Sequence, residues 1–263
     1  MVVAGCGLEL AALSDTGRVR TDNEDAVVAD VRTGVAIVAD GMGGHRNGRV
    51  ASRLACNAVL AGLGARSSRR DVQTVRRAVD AANSAILAAA EQDPARHGMG
   101  TTLALVRFGK DRAVLAHIGD SRVYRLRAGK LSLLTRDDSL LSEQVDQGLI
   151  SAGQSAASHN RHLITAALGL RQPLAAHFRE EKIQVGDLFL VCSDGLHDMV
   201  GDDDIELILQ SLHMNLPLAA HHLVQLANDH GGFDNVSVVL AKVTPESAAS
   251  SGGWLGRLLG RWR

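Results

Sequence analysis

A five-residue apolar run, Val35-Ala36-Ile37-Val38-Ala39, stops at Asp40 and is followed by Gly41-Met42-Gly43-Gly44. Its length and composition are those of a buried strand. A bare carboxylate at the end of such a strand is costly unless a cation or a set of donors meets it. The glycines let the chain turn tightly and let backbone carbonyls approach whatever the Asp holds. The ending recurs: Ala113–Ile118 stops at Gly119-Asp120, and Leu188–Cys192 stops at Ser193-Asp194-Gly195. Asp234 stands instead just before an apolar run, Val236–Val243. In antiparallel neighbours the end of one strand lies beside the start of the next, so these four acids are expected to share one edge of a sheet. Glu24 and Asp25, at another strand boundary, are expected to join them.

Converging carboxylates repel unless they are protonated or neutralised by cations. An all-oxygen donor set suits hard ions such as Mg²⁺ or Mn²⁺, whereas zinc favours His or Cys. Two such ions roughly 3.5–4 Å apart can clamp a phosphate and activate water near neutral pH. Arg20, a few residues before Glu24-Asp25, could hold phosphate oxygens bidentately, which Lys would do less specifically. A single Asp-Gly is more often a turn, and a single Arg a surface charge. Four acids in matching strand-end contexts beside an Arg–acid cluster change that balance.

The rest of the chain fits a mixed α+β protein. Residues 8–31 read as strand, turn, strand. Helices are expected at Val50–Leu63, with Asn47 a cap candidate, and at Val72 to about Ala90, with Asp71 at its start. Strands are expected at Thr101–Phe108, Ala113–Ile118 and Val123–Leu126. Residues 136–172, rich in Ser, Ala, Gln and His, read as a helical or mobile excursion. Two more helices follow, Asp202 to about His213 and Leu218 to about Asp229. Strands before and after helix pairs favour packed sheets over regular βαβ alternation.

Composition excludes several function classes. The 263 residues carry a formal charge of -1, so no global field steers nucleic acid. Cys6, Cys56 and Cys192 are odd in number and scattered, matching neither a disulfide framework nor a zinc spacing. No apolar run approaches a membrane span, and the start lacks the features of a signal peptide. A cytoplasmic monomer is expected. Gly41-Met42-Gly43-Gly44 misses the dinucleotide fingerprint, and no phosphate-binding G-x-x-x-x-G-K-[ST] occurs.

From about Leu8 to Val243 the chain resembles the metal-dependent protein Ser/Thr phosphatases of the PP2C (PPM) type, in a compact bacterial form. The resemblance rests on Arg20-x-x-Asn23-Glu24-Asp25, Val38-Ala39-Asp40-Gly41-Met42-Gly43-Gly44, Gly98-Met99-Gly100-Thr101-Thr102, Ile118-Gly119-Asp120-Ser121-Arg122, Ser193-Asp194-Gly195 and Asp234-Asn235-Val236-Ser237, in the family's order. It implies a sandwich of two antiparallel β-sheets flanked by α-helices, in α-β-β-α layers, with a metal cleft at one end. The phosphatase domain would be residues 1–245, with a flap at about 137–172 beside the cleft. The match to Asp40 bridges two ions, and the Gly41 carbonyl helps hold one. Asp194 and Asp234 match ligands of the second ion, and Glu24 and Asp25 order a water shell. Asp120, with Asp194, matches a weaker third-ion site, and Arg20 matches the phosphate-binding Arg.

The implied reaction is hydrolysis of phosphoserine or phosphothreonine in proteins by a two-metal-activated hydroxide, with Mn²⁺ or Mg²⁺ as cofactor and a Ser/Thr kinase as the opposing activity. A non-catalytic phosphoprotein scaffold and a hydrolase of small phosphoesters are the rival readings. Two departures stand out: Met42 occupies the place of a His proposed as general acid in many eukaryotic members, and Ala166 stands where relatives often carry Arg. Residues 246–263 read as a flexible linker and a basic amphipathic tail. Leu255, Leu258, Leu259 and Trp262 lie on one face, beside Arg257 and Arg261. Such a segment could bring the protein to the inner membrane surface or to a partner.

Overall fold

The computed structural model describes residues 2–3, 6–43, 46–64, 71–148 and 163–245. The first half of the chain supplies β1 (Val2–Val3), β2 (Cys6–Asp15), β3 (Ala26–Asp30), β4 (Val35–Ala39) and β5 (Gly41–Met42), then α1 (Arg46–Leu63) and α2 (Val72–Gln92). Next come β6 (Gly100–Thr101), β7 (Leu103–Phe108), β8 (Arg112–Ile118), β9 (Arg122–Arg127), β10 (Lys130–Leu133) and α3 (Leu140–Asp146). The last part is β11 (His177–Lys182), β12 (Leu188–Cys192), α4 (Asp194–His197), α5 (Asp202–Leu212), α6 (Leu216–Asp229) and β13 (Val236–Thr244).

Among the described residues the strands form a six-stranded sheet ordered β1-β2-β13-β12-β9-β10 and a five-stranded sheet ordered β11-β8-β7-β4-β3, with β5 and β6 as a small separate pair. Adjacent strands pair antiparallel throughout. The expected α-β-β-α sandwich is therefore present.

Both β4 and β12 are unbroken apolar runs because both of their faces are covered. Strand side chains alternate between faces. Val35, Ile37 and Ala39 pack outward against α1 and α2, while Ala36 and Val38 point between the sheets. In β12, Leu188, Leu190 and Cys192 pack toward α5 and α6, and Phe189 and Val191 point inward. Phe108 and Phe189 meet edge to face between the sheets at 5.2 Å, a favoured aromatic geometry. No described helix is long and apolar enough to cross a membrane.

Three expectations need correction. The strand-end acids do not share an edge of one sheet. Strands β4 and β8, which lead into Asp40 and Asp120, belong to the five-stranded sheet, whereas β12 and β13, beside Asp194 and Asp234, belong to the six-stranded one. The acids share one end of the sandwich, and two sheets supply them. Asn47 does not cap α1: the helix begins at Arg46, and the Asn47 side chain donates to the Ala95 carbonyl at 2.8 Å. The helix expected from Leu218 starts at Leu216, because Asn215 accepts from the Leu218 amide at 3.1 Å and Pro217 suits the first turn. Asp71 does cap α2, accepting from the Thr74 amide at 2.8 Å.

The excursion around 137–172 is anchored at both ends. The Thr165 amide donates to the Asp138 carbonyl at 2.8 Å, and Thr101 and Leu168 exchange backbone hydrogen bonds of 3.1 and 2.9 Å. Arg122 grips Asp137 through Nε and Nη2, at 3.0 and 2.7 Å, holding the root of this segment against β9. Ala166 is buried against the α1–α2 side of the core and does not line the cleft described below. Residues 149–162 lie outside the described residues, as do His45 and the tail 246–263.

Candidate metal centre

A cleft of about 850 Å³ opens where the strand ends meet, lined by Arg20, Glu24, Asp40, Gly41, Asp194 and Asp234 among others. Asp25 and Asp120 are 8% and 5% exposed, outside the lining but close enough for their charges to act on it. All seven positions singled out for their carboxylate or carbonyl oxygens, with Arg20, thus fall in one neighbourhood.

Backbone hydrogen bonds place each acid. The Asp40 amide donates to Thr102 Oγ1 at 2.9 Å, and its carbonyl accepts from the Thr102 amide and Thr101 Oγ1, both at 2.8 Å. Thr102 Oγ1 is itself held by Ser121 Oγ at 2.7 Å, beside Asp120. With its backbone groups committed, Asp40 presents its carboxylate to the cleft. Gly41 meets Gly48 of α1 so closely that a β-carbon on Gly41 would lie 2.1 Å from the Gly48 carbonyl oxygen. Glycine is required at this crossing on packing grounds.

Asp194 opens α4 after Ser193, whose hydroxyl donates to Asp25 Oδ2 at 2.9 Å and accepts from the Ser237 amide at 3.0 Å. One serine thereby joins β12, β13 and the Glu24-Asp25 segment. Asn235 is the second brace. Its Oδ1 accepts from the Glu24 amide at 2.8 Å, and Nδ2 donates to the carbonyls of Thr16 and Asp22 at 2.9 and 3.0 Å. Arg20 Nη2 donates to Asp234 Oδ2 at 2.6 Å across the cleft mouth.

The electrostatics are those of crowded acids. Desolvation raises the Asp40 carboxyl well above its usual range, with Asp25, Asp194, Asp120 and Asp234 adding repulsion. Asp194 is raised likewise, by desolvation first and then by Asp120. Burial pushes Asp25 up to about 6, against hydrogen bonds from Ser237 and Ser193 that lower it. Burial and Asp137 raise Asp120 to about 7. The Asp234 hydrogen bond raises Arg20 further, so its charge is permanent.

These shifts give a pH dependence of stability in chelator. Folded-state values above the unfolded ones mean that the native chain keeps protons the unfolded chain has released. Their stabilising contribution is then full near pH 4 and lost as pH rises through about 6 for Asp25 and about 7 for Asp120. Thermal unfolding with chelator should show Tm falling between pH 5 and pH 7.5, at roughly 1.4 kcal/mol per pKa unit. A flat profile, or one that rises, would count against a cluster of protonated acids.

Buried Oδ1 atoms of Asp25, Asp120 and Asp194 have no hydrogen-bond partner. Buried carboxylate oxygens without partners fit hard divalent cations, and the donor set offers no competing thiolate or imidazole. Among the described residues, no three such side chains are drawn around one ion-sized point, as expected of carboxylates that repel one another. The oxygen chemistry fits; the residues would need only to close inward.

Several residues escaped the sequence reading. Asp198 lines the cleft and adds its charge to Asp194. Its signal was available, since it stands four residues after Asp194 on one helical turn. Thr102, Ser193 and Asn235 carried only motif membership, and their bracing roles depend on long-range contacts. Met42 lines the cleft, and no described histidine does.

The site is a set of carboxylates at the end of a two-sheet sandwich, with an arginine at the cleft mouth. The sequence profile described as Protein phosphatase 2C matches residues 14–227, and the chain belongs to that family. It is 44% identical over 239 residues to the serine/threonine protein phosphatase PstP of Mycobacterium tuberculosis, covering 90% of this chain and 45% of that one. The chain thus spans less than half the length of that relative. Protein phosphatase PhpP of Streptococcus pneumoniae is 34% identical over 253 residues, with 92% of this chain and 100% of that protein covered. The crystal structure of the M. tuberculosis phosphatase superposes with a TM-score of 0.85 at 40% identity, covering 90% of this chain and 99% of that one. A structure described as the PstP catalytic domain with two manganese ions gives 0.83 at 42% identity, covering 91% and 99%.

Proposed function

We propose that this chain is a Mn²⁺- or Mg²⁺-dependent phosphatase acting on phosphoserine and phosphothreonine in bacterial proteins, opposite a Ser/Thr kinase. The observation that carries this reading is the meeting of Asp40, Asp194 and Asp234 with the Arg20 guanidinium in one open cleft, with buried Asp25 and Asp120 acting on Asp40 and Asp194 from behind it. Relatives named as serine/threonine phosphatases support the substrate class, and the manganese-bound neighbour supports the cofactor.

In this reading Asp40 and the Gly41 carbonyl would help hold the metal ions. Asp194 and Asp234 would hold metal as well, Glu24 and Asp25 would order water around it, and Asp120 with Asp194 would serve a third ion. Bound ions would supply Lewis acidity and a nucleophile from water at neutral pH. Arg20 orients the phosphate: its five donors allow it to keep Asp234 while taking phosphate oxygens. Thr101, Thr102, Ser193 and Asn235 hold the acids in place. The catalytic unit would be residues 1–245, and the basic tail 246–263 would contact anionic lipid or a partner.

The test is hydrolysis of a phosphothreonine peptide with Mn²⁺, lost on chelation and restored by metal. Arg20→Ala should raise KM at least about tenfold, with Arg20→Lys recovering only part because it cannot bind bidentately. A chain that binds phosphoproteins without turnover would be the scaffold. Faster turnover of nucleotides or sugar phosphates than of phosphopeptides would favour the small-phosphoester reading.

A further inference from the structure

The cleft has an apolar lip that its carboxylate chemistry does not use. Val19 and Phe233 line the cleft, and they are 59% and 61% exposed. Scattered apolar side chains on a surface are ordinary. These two are placed less randomly. Val19 immediately precedes Arg20, and Phe233 immediately precedes Asp234. Their segments are joined on either side: the Arg18 amide donates to the Gly232 carbonyl at 2.7 Å, and Arg20 Nη2 donates to Asp234 Oδ2 at 2.6 Å. The two side chains therefore stand at the same level of the cleft mouth, one residue from the groups that meet the phosphate.

The Phe233 ring lies over Gly231, where a β-carbon would come within 2.8 Å of the ring. Gly231 has φ +126°, a conformation that disfavours any side chain there. Met199 and Ile164 continue the apolar wall within the same cleft; Asp22 is paired with Arg49 at 2.7 Å, and Asp198 adds negative charge.

We propose that Val19 and Phe233 select phosphorylated residues flanked by a bulky apolar side chain, and that Asp198 disfavours an acidic flank. This inference rests on the phosphatase reading above. Consecutive Cα atoms are about 3.8 Å apart, so a peptide with its phosphate on Arg20 must lay its next one or two residues across the lip. An apolar residue there removes exposed hydrocarbon on both sides from water, while a carboxylate would approach Asp198.

The experiment compares two phosphothreonine peptides that differ only in the flanking residues, Leu in one and Glu in the other, with the Mn²⁺-loaded full chain. The expected result is a kcat/KM about tenfold higher for the Leu peptide, in the range that one apolar contact confers. The double variant Val19→Ser, Phe233→Ala should cut that ratio severalfold, leaving only the discrimination that Asp198 exerts, and Phe233→Leu should retain most of it. Both positions are exposed, so folding is not at stake. Equal turnover of the two peptides by the unaltered chain, or an unchanged ratio in the double variant, would overturn the lip. Failure to hydrolyse any phosphopeptide would sink the phosphatase reading itself, and the lip with it.

Discussion

Asp194→Asn is expected to lower Mn²⁺-supported turnover of a phosphothreonine peptide by at least about 10²–10³-fold, the scale on which single electrostatic groups at reaction centres act. The same change should make the metal-free chain more stable at pH 8. Both effects follow from one property. Asp194 is desolvated, repelled by Asp120, Asp234, Asp198 and Asp25, and carries an oxygen with no partner. Its charge opposes folding and has value only toward a cation. An amide of the same shape removes the repulsion, and one protein ligand is lost with it. Thermal unfolding in chelator and steady-state turnover in Mn²⁺ should therefore move in opposite directions. Turnover equal to that of the unaltered chain would dismiss Asp194 from the centre. Loss of turnover together with lower stability in chelator would instead mark it as structural.

Gly48→Ala tests the support beneath Asp40. By helix propensity alone, replacing a glycine within α1 with alanine would stabilise by about 1 kcal/mol. The structure reverses that sign. The new β-carbon would lie 2.6 Å from both the carbonyl carbon and oxygen of Gly41, which are backbone atoms unable to rotate away. Overpacking of this kind costs about 1–3 kcal/mol and here displaces the turn that carries Asp40. The balance is a net loss of up to about 2 kcal/mol, or a Tm lower by about 2–4 °C for each kcal/mol lost at this size. Mn²⁺ affinity should weaken with it, since Ser52 Oγ also ties α1 to the Glu24 carbonyl at 2.6 Å. A stabilised variant with full Mn²⁺ affinity would show that the α1–turn contact relaxes freely.

The parts of the fold legible in the sequence were those with strong hydrophobic period. Strands β4 and β12 announced themselves because covering both faces demands an unbroken apolar run. Helices α1 and α2 showed through their apolar spacing, and Asp71 marked a true cap. Strand β11, His177-Phe178-Arg179-Glu180-Glu181-Lys182, was invisible. It forms an edge of the five-stranded sheet, where one side has no neighbour and charged residues guard against further pairing. Asn47 misled because a side-chain amide near a helix start serves a cap or a distant carbonyl equally well, and Ala95 is distant in sequence.

The candidate site divides along the same line. That Asp40, Asp120 and Asp194 follow apolar strands and Asp234 precedes one was legible in the chain alone, and a carboxylate beside a buried strand needs compensation wherever the strand lies. Which acids meet which was beyond it. One shared sheet edge was the simplest geometry, and the molecule uses two sheets, a choice set by strand order and hence by contacts far apart in sequence. The bracing by Ser193 and Asn235, the glycine crossing at Gly41 and Gly48, and the Val19–Phe233 lip belong to that second kind. Each is a meeting of segments whose local sequences carry no periodic or capping signal for it, so only the packed structure decided them.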